Sequence, residues 1–357
     1  MFAHEKKRFF IGLIFILLLS ACSNKEGQVE LLDQPYSKTE FLMGTVVTLK
    51  VYDKGKEQAI DKSFDRIKTL AAEITTSDAG KSEIDKVNQN AGIKPVEVTP
   101  DMFYLVKEGI QYSKASFGDF DITVGPLTDL WHIGFPDAKK PTEAEIKQVL
   151  PLIDYKKVEM NEANQTIYLP EKGMALDLGG IAKGYIADEV NKVMKKQGVT
   201  SAIIDLGGNI FVRGDNPKGG DWTIGIQNPF EARGKSIGKL PGSDVSVVTS
   251  GIYERYLELD GVKYHHILSP FTGYPFNNEL AGVSIVSKKS IDGDGLSTAV
   301  FIKGVKGGMD YVDTFSDVEA IFVTKDKKVY VTDGLKDQFK LTDKSFKMAE
   351  LDEKGAK

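Results

Sequence analysis

The residues that could do chemistry gather in a few short clusters. Asp177 to Tyr185 reads Asp-Leu-Gly-Gly-Ile-Ala-Lys-Gly-Tyr, with two glycines leading into a helix. Paired glycines let backbone approach a ligand closely, and free amides at a helix start attract anions, so a phosphate can sit there with Lys183 as a point charge. A tight strand-to-helix turn with a solvated lysine explains the same residues. Asp205 to Asn209 repeats the Asp-Leu-Gly-Gly corner after the next strand. Thr249 to Arg255 puts hydroxyls at a loop mouth, and Tyr264 to Pro270 brings His265 and His266, either general-base material at neutral pH or packing residues. Asp294 and Thr298, four apart on one face of an incipient helix, are hard oxygen donors suited to Mg2+; alternatively Asp294 is a plain N-cap. Ser116 to Leu127, with Trp131 beyond, mixes aromatic, acidic and turn residues, as a planar-ligand pocket would and as a turn onto core aromatics also would.

The common templates fail. There is no GxxxxGKS/T phosphate loop, no GxGxxG after a strand, no GxSxG elbow and no HExxH. Asp292 to Gly295 imitates the start of a calcium loop, but Leu296 and Lys303 stand where ligands are needed. Four histidines, with His4 in the N-terminal segment, are too few for a multi-histidine zinc site, and one cysteine excludes a disulfide framework.

The elements that must position these clusters follow from periodicity. Thr45 to Tyr52 alternates as a strand, and Ile60, Phe64, Ile67, Ala71 and Ile74 then repeat at helical spacing. Thr99-Pro100-Asp101 opens a helix running through Tyr112, Thr142 to Leu150 reads as a short helix, and Val158 to Leu169 as a hairpin. Ile181 to Lys196 is amphipathic, and short strands follow at 201–204, 210–213, 222–227, 245–249, 283–287, 320–324 and 329–331. Helices early and strands late predict an α+β fold with largely antiparallel sheets.

With 46 Lys plus Arg against 51 Asp plus Glu, the net charge of -5 offers no basic excess and argues against a nucleic-acid partner. Lys6, Lys7 and Arg8 precede an apolar run from Phe9 to Leu19, which ends in Leu19-Ser20-Ala21-Cys22. The run is too short to span a bilayer comfortably, and an uncleaved anchor is the alternative to export. The segment resembles a bacterial lipoprotein signal. On that reading residues 1–21 are the signal peptide, Cys22 carries the lipid, and 22–37 is a tether. Residues 38–340 form the catalytic domain and 341–357 a charged, loosely held tail.

Taken in this order, the clusters resemble the ApbE-type family, the FAD:protein FMN transferases. The match runs through Met43-Gly44-Thr45, Ser82-Glu83 with Asn88, Phe120-Asp121 to Trp131, Asp177 to Asp188, and Gly207-Gly208-Asn209. It continues through Thr249 to Arg255, His266 to Pro275 and Asp294 to Gly304. The resemblance implies two lobes with flanking helices and a flavin cleft between them. It implies FAD contacts at Met43, Asp119, Phe120, Asp121, Asp177, Lys183 and Ile267. It implies a Mg2+ site from Asp294, Thr298 and main-chain oxygens of Gly180 and Ser297, with His266 and Asp294 catalytic. Ile74 to Lys81, where many relatives carry an aromatic residue beside the flavin, has none here, so stacking on that side is either looser or supplied by Phe120.

The implied activity is Mg2+-dependent transfer of FMN from FAD to a Thr or Ser hydroxyl of an exported partner bearing a short Ser/Thr motif, with AMP released. The implied address is the extracytoplasmic face of the bacterial cell membrane, held by the lipid on Cys22. FAD hydrolysis to FMN and AMP at the same site is the nearest alternative, and a non-catalytic flavin-binding lipoprotein is the alternative of another class.

Overall fold

In the computed structural model, residues 29–76 and 80–351 are described; the signal segment with Cys22, and Ser77 to Ala79, lie outside the described residues. A nine-stranded sheet organises the chain, and its strands lie side by side in chain order. They are Leu31–Leu42, Thr45–Asp53, Ala202–Leu206, Asn209–Arg213, Val245–Gly251, Leu280–Ser287, Val318–Thr324, Lys328–Val331 and Lys347–Met348. All pairings are antiparallel except the last.

Both faces of this sheet are covered. Val47, Leu49 and Val51, alternate residues of one strand, point into a large core with the helices α1 (Gln58–Ile74), α6 (Ala182–Lys196) and α7 (Ser290–Val312). On the other face, Trp222, Ile224 and Ile226 of a small sheet (Trp222–Gln227, Ser236–Gly242, Lys340–Leu341) pack with Val247, Val286 and Ile321. Leu280–Ser287 is therefore buried at every position, as a strand sandwiched between two layers must be. Each fully buried Leu, Ile or Phe in these layers contributes about 1.5–3 kcal/mol.

Of the other helices, α2 spans Glu83–Gln89, α3 Pro100–Ala115, α4 Gly125–Trp131 and α5 Glu143–Val149. Thr99 caps α3, its hydroxyl accepting the Met102 N–H, and Pro100 takes the first turn. Arg66 on α1 fastens α3 and α6 together. Its terminal nitrogens reach Asp101 at 2.8 and 2.6 Å and Glu189 at 2.5 Å. A smaller core of Leu127, Trp131, Ile133, Ile146 and Leu268 joins α4 and α5 to the ribbon Tyr256–Leu259/Val262–His265.

Two segment boundaries move. Leu31–Leu42 is an edge strand, with Leu31 opposite Asp53, so its first half is not tether. Its outward residues include Asp33, Gln34, Ser37 and Thr39, and that polarity disguises the strand. The start of the tail is docked, because Lys340–Leu341 pairs with Ser236–Gly242, Lys347–Met348 pairs with Lys328–Val331, and Phe346 is buried.

Candidate active site

Asp294 lies in the second turn of α7, almost fully buried. Its Oδ2 accepts the Gly184 N–H at 2.6 Å, its Oδ1 accepts the Asn209 side-chain amide at 2.8 Å, and Lys183 Nζ stands 3.6 Å from Oδ1. The N-cap reading of Asp294 thus needs correction. The carboxylate satisfies an amide in the first turn of α6, whereas the start of α7 is capped by Asp188 of α6, which accepts the Ser290 and Ile291 N–H groups. Burial, helped by repulsion from Asp292, pushes the Asp188 carboxyl up to about 6.

The two Asp-Leu-Gly-Gly corners do different work. At the second, Gly207 and Gly208 take φ of 65° and 104° in a tight hairpin, and a Cβ on Gly207 would fall 1.9 Å from Thr45 Oγ1. This corner delivers Asn209 to Asp294; sequence reasoning noted the motif but assigned Asn209 no role. At the first corner, Asp177 Oδ1 accepts the Gly179 N–H at 2.8 Å, and Gly180 lies against Phe120.

Thr298 sits one turn beyond Asp294, half-buried, and its hydroxyl has no hydrogen-bond partner among the described residues. Ser297 is buried; its hydroxyl donates to the Asp294 carbonyl at 3.0 Å and accepts from Ser250 at 2.8 Å. The Asp294 carboxylate and the Thr298 hydroxyl, one turn apart on α7, are hard oxygen donors of the kind Mg2+ takes. Among the described residues no three His, Cys, Asp or Glu side chains cluster for a metal.

The histidine pair divides cleanly. His265 is buried, its Nε2 donating to the Phe276 carbonyl at 2.6 Å and its Nδ1 accepting the Ile267 N–H at 3.3 Å, so both nitrogens serve the fold. His266 is half-buried, and its Nδ1 donates to the Arg255 carbonyl at 3.2 Å, which leaves Nε2 as the proton acceptor. Burial holds the His266 imidazole down to about 4. The Arg255 carbonyl opposes this, while the charges of Arg255 and Lys183 reinforce it.

The remaining predicted contacts are placed as follows. Met43 is partly buried with φ of 53°, an uncommon conformation for a side chain of its size, in the turn before Thr45. Asp119 is held by Lys303 Nζ at 2.5 Å. Asp121 is buried, and its carboxylate is committed to the fold: it accepts from the Thr123 N–H, the Thr123 hydroxyl and the Tyr155 N–H at 2.8, 2.6 and 3.1 Å. Ile267 is buried beside His266. Gly44 and Gly134 both lie against the Arg255 side chain, which brings the Met43 turn and the end of α4 to the histidine. Sequence reasoning assigned neither Arg255 nor Lys303 a role in the site. A cavity of 350 Å³ lined by Glu108, Gln111, Tyr112, Asp292 and Phe315 includes none of the site residues.

This assembly has known counterparts. Residues 43–322 match the sequence model of the ApbE family. An FAD:protein FMN transferase of Klebsiella pneumoniae (strain 342) is 37% identical over 313 residues, 88% of this chain and 96% of that protein. One of Treponema pallidum (strain Nichols) is 33% identical over 327 residues, covering 87% and 90%. Among solved structures, the ApbE protein of Thermotoga maritima superposes with a TM-score of 0.78 at 29% identity, over 85% of this chain and 98% of that one. The apo flavinyl transferase ApbE of Pseudomonas stutzeri gives 0.74 at 26% identity, over 86% and 97%. The α+β architecture is shared with these structures, and the sequence match begins at the strained Met43 turn and runs past Asp294: the chain belongs to the ApbE family.

Proposed function

We propose that the chain is an FAD:protein FMN transferase. The observation that carries this is the buried Asp294, clamped by Gly184 and Asn209 with Lys183 beside it; His266, whose Nε2 has no hydrogen-bond partner among the described residues, offers a neutral base. The oxygen of an acceptor Thr or Ser hydroxyl attacks the FMN-side phosphorus of FAD, and the bond from that phosphorus to the bridging oxygen breaks. FMN ends on the protein in a phosphoester link and AMP leaves with the bridging oxygen. His266 Nε2 takes the hydroxyl proton. Lys183 offers its charge to the diphosphate. Asp294, Thr298 and the main-chain oxygens of Gly180 and Ser297 would hold Mg2+, which supplies charge neutralisation at phosphate oxygens when bound.

The test is to incubate residues 23–357 with FAD, Mg2+ and candidate exported proteins. FMN on the acceptor with AMP in equal amount is expected; free FMN and AMP in the presence of a good acceptor would mean hydrolysis, and unchanged FAD would mean binding alone. We further propose that Cys22 carries a lipid that holds the domain at the outer face of the cell membrane. The lipoprotein-like segment supports this.

His266 sets the pH response. Its pKa lies below the ordinary value, so the free enzyme keeps the base neutral from neutrality down to about pH 4. The acid limb of kcat/KM, which reports the free enzyme, is expected near pH 4 rather than near 6.5. The limb of kcat should lie higher, because a bound diphosphate favours the imidazolium. His266→Ala should lower kcat by about 10²–10⁴-fold and remove the limb. A limb that persists in the variant would assign the base elsewhere.

A further inference from the structure

Phe120 cannot offer a ring face to a flavin, because it is 6% exposed and its edge lies on Gly180, where a Cβ would meet Cε2 at 2.9 Å. Two neighbouring phenylalanines stand in solvent instead: Phe117 is 84% exposed and Phe271 is 61% exposed. Phe271 reaches the residue that follows Phe117: a Cβ on Gly118 would lie 3.4 Å from the tip of the Phe271 ring.

Each ring is presented on a fixed turn. Phe117 ends α3 with φ of 60°, and the Gly118 N–H closes the turn onto the Ser113 carbonyl at 2.8 Å. That position normally takes Gly or Asn, and a bulky residue there is strained. Phe271 rides the turn from Ser269 to Tyr274. The buried Ser269 hydroxyl accepts the N–H groups of Phe271 and Thr272 at 3.3 and 3.1 Å, and Trp131 Nε1 donates to the Gly273 carbonyl at 2.8 Å. A strained backbone and two exposed aromatic rings bring the fold no visible return. Between them the chain continues into Asp119, fixed by Lys303, and Phe120, which rests on Gly180 of the Asp294 cluster.

We propose that the exposed Phe271, with Phe117 one residue from its contact at Gly118, is the platform on which one planar ring of FAD stacks; this rests on the transferase reading above. Stacking on an aromatic face tolerates any flat ring system, so both the isoalloxazine and the adenine qualify. The pre-set turns mean that little ordering is left for binding to impose.

The test is FAD affinity, followed by flavin fluorescence or calorimetry, for the wild type, Phe271→Ala, Phe271→Tyr and Phe117→Asn, with FMN and AMP titrated separately. Phe271→Ala is expected to weaken FAD about tenfold or more, and Phe271→Tyr to stay near wild type. Whichever of FMN or AMP weakens by the same factor carries the stacked ring. Phe117→Asn should weaken FAD less and leave Tm unchanged or higher, since Asn accepts positive φ. FAD affinity unchanged in Phe271→Ala overturns the proposal, and a rise only in the acceptor KM would then mark the rings as a protein-docking surface. A wild type that binds FAD through Phe271 yet transfers nothing would sink the transferase reading while leaving the platform standing.

Discussion

Asp294→Ala is expected to cut transfer by about 10³-fold or more at every Mg2+ concentration, and also to cost stability. The activity loss follows from removing the single carboxylate around which Lys183, Gly184 and Asn209 converge. The stability loss follows from what remains. The Gly184 N–H and the Asn209 amide would be buried donors without an acceptor, each worth about 1–3 kcal/mol. Asp294→Asn separates the two effects, because it keeps the shape and one acceptor while giving up the charge. Both variants should lose activity, with the asparagine variant melting closer to wild type. AMP release over a Mg2+ titration, alongside thermal melting, makes the measurement. Wild-type turnover in Asp294→Asn would remove the carboxylate from the mechanism.

Gly184→Ala should lower Tm by roughly 5–10 °C, about 3 kcal/mol, where helix propensity alone would raise stability by about 1 kcal/mol. Gly184 lies in the first turn of α6, where that helix meets the start of α7. A Cβ there would fall 2.3 Å from the Ser290 carbonyl oxygen and 2.8 Å from Ile291 Cα. Both obstacles are main chain, so no rotamer relieves them and the helices must part. Since α6 carries Lys183 and α7 carries Asp294, the folded fraction should also turn over more slowly. Urea unfolding and kcat on the same preparation test both halves. A variant at least as stable as wild type would show that the two helices do not meet so closely.

The sequence revealed the elements whose signals are local. The Thr99-Pro100 start of α3, the amphipathic run that became α6 and the hairpin near Asn161 to Gln165 all depend on near neighbours, and all are present. The site was legible as motifs because Gly207 and Gly208 are demanded by positive φ and the nearby Thr45 hydroxyl. What stayed hidden is non-local. Asp294 looked like the cap of its own helix, but the helix it caps begins 112 residues earlier in the chain, at Ala182, and Asp188 returns the service to α7. Neither partnership leaves a spacing to read. The Phe117 and Phe271 rings were equally invisible, because exposure and φ are properties of the folded chain.

The position of the first strand has a consequence for reach. It pairs from Leu31 onward and Glu30 is already held by Lys54, so if Cys22 is lipidated as proposed, the leash that separates the lipid from the sheet is the chain from Cys22 to Glu30 rather than the whole of 22–37. Fully stretched, such a leash spans at most about 29 Å, less than the width of a bilayer with its headgroups. An enzyme on so short a leash patrols a thin layer next to the lipid. Its acceptors would have to present their hydroxyls at that height, which favours proteins that are themselves membrane-bound over those that diffuse past.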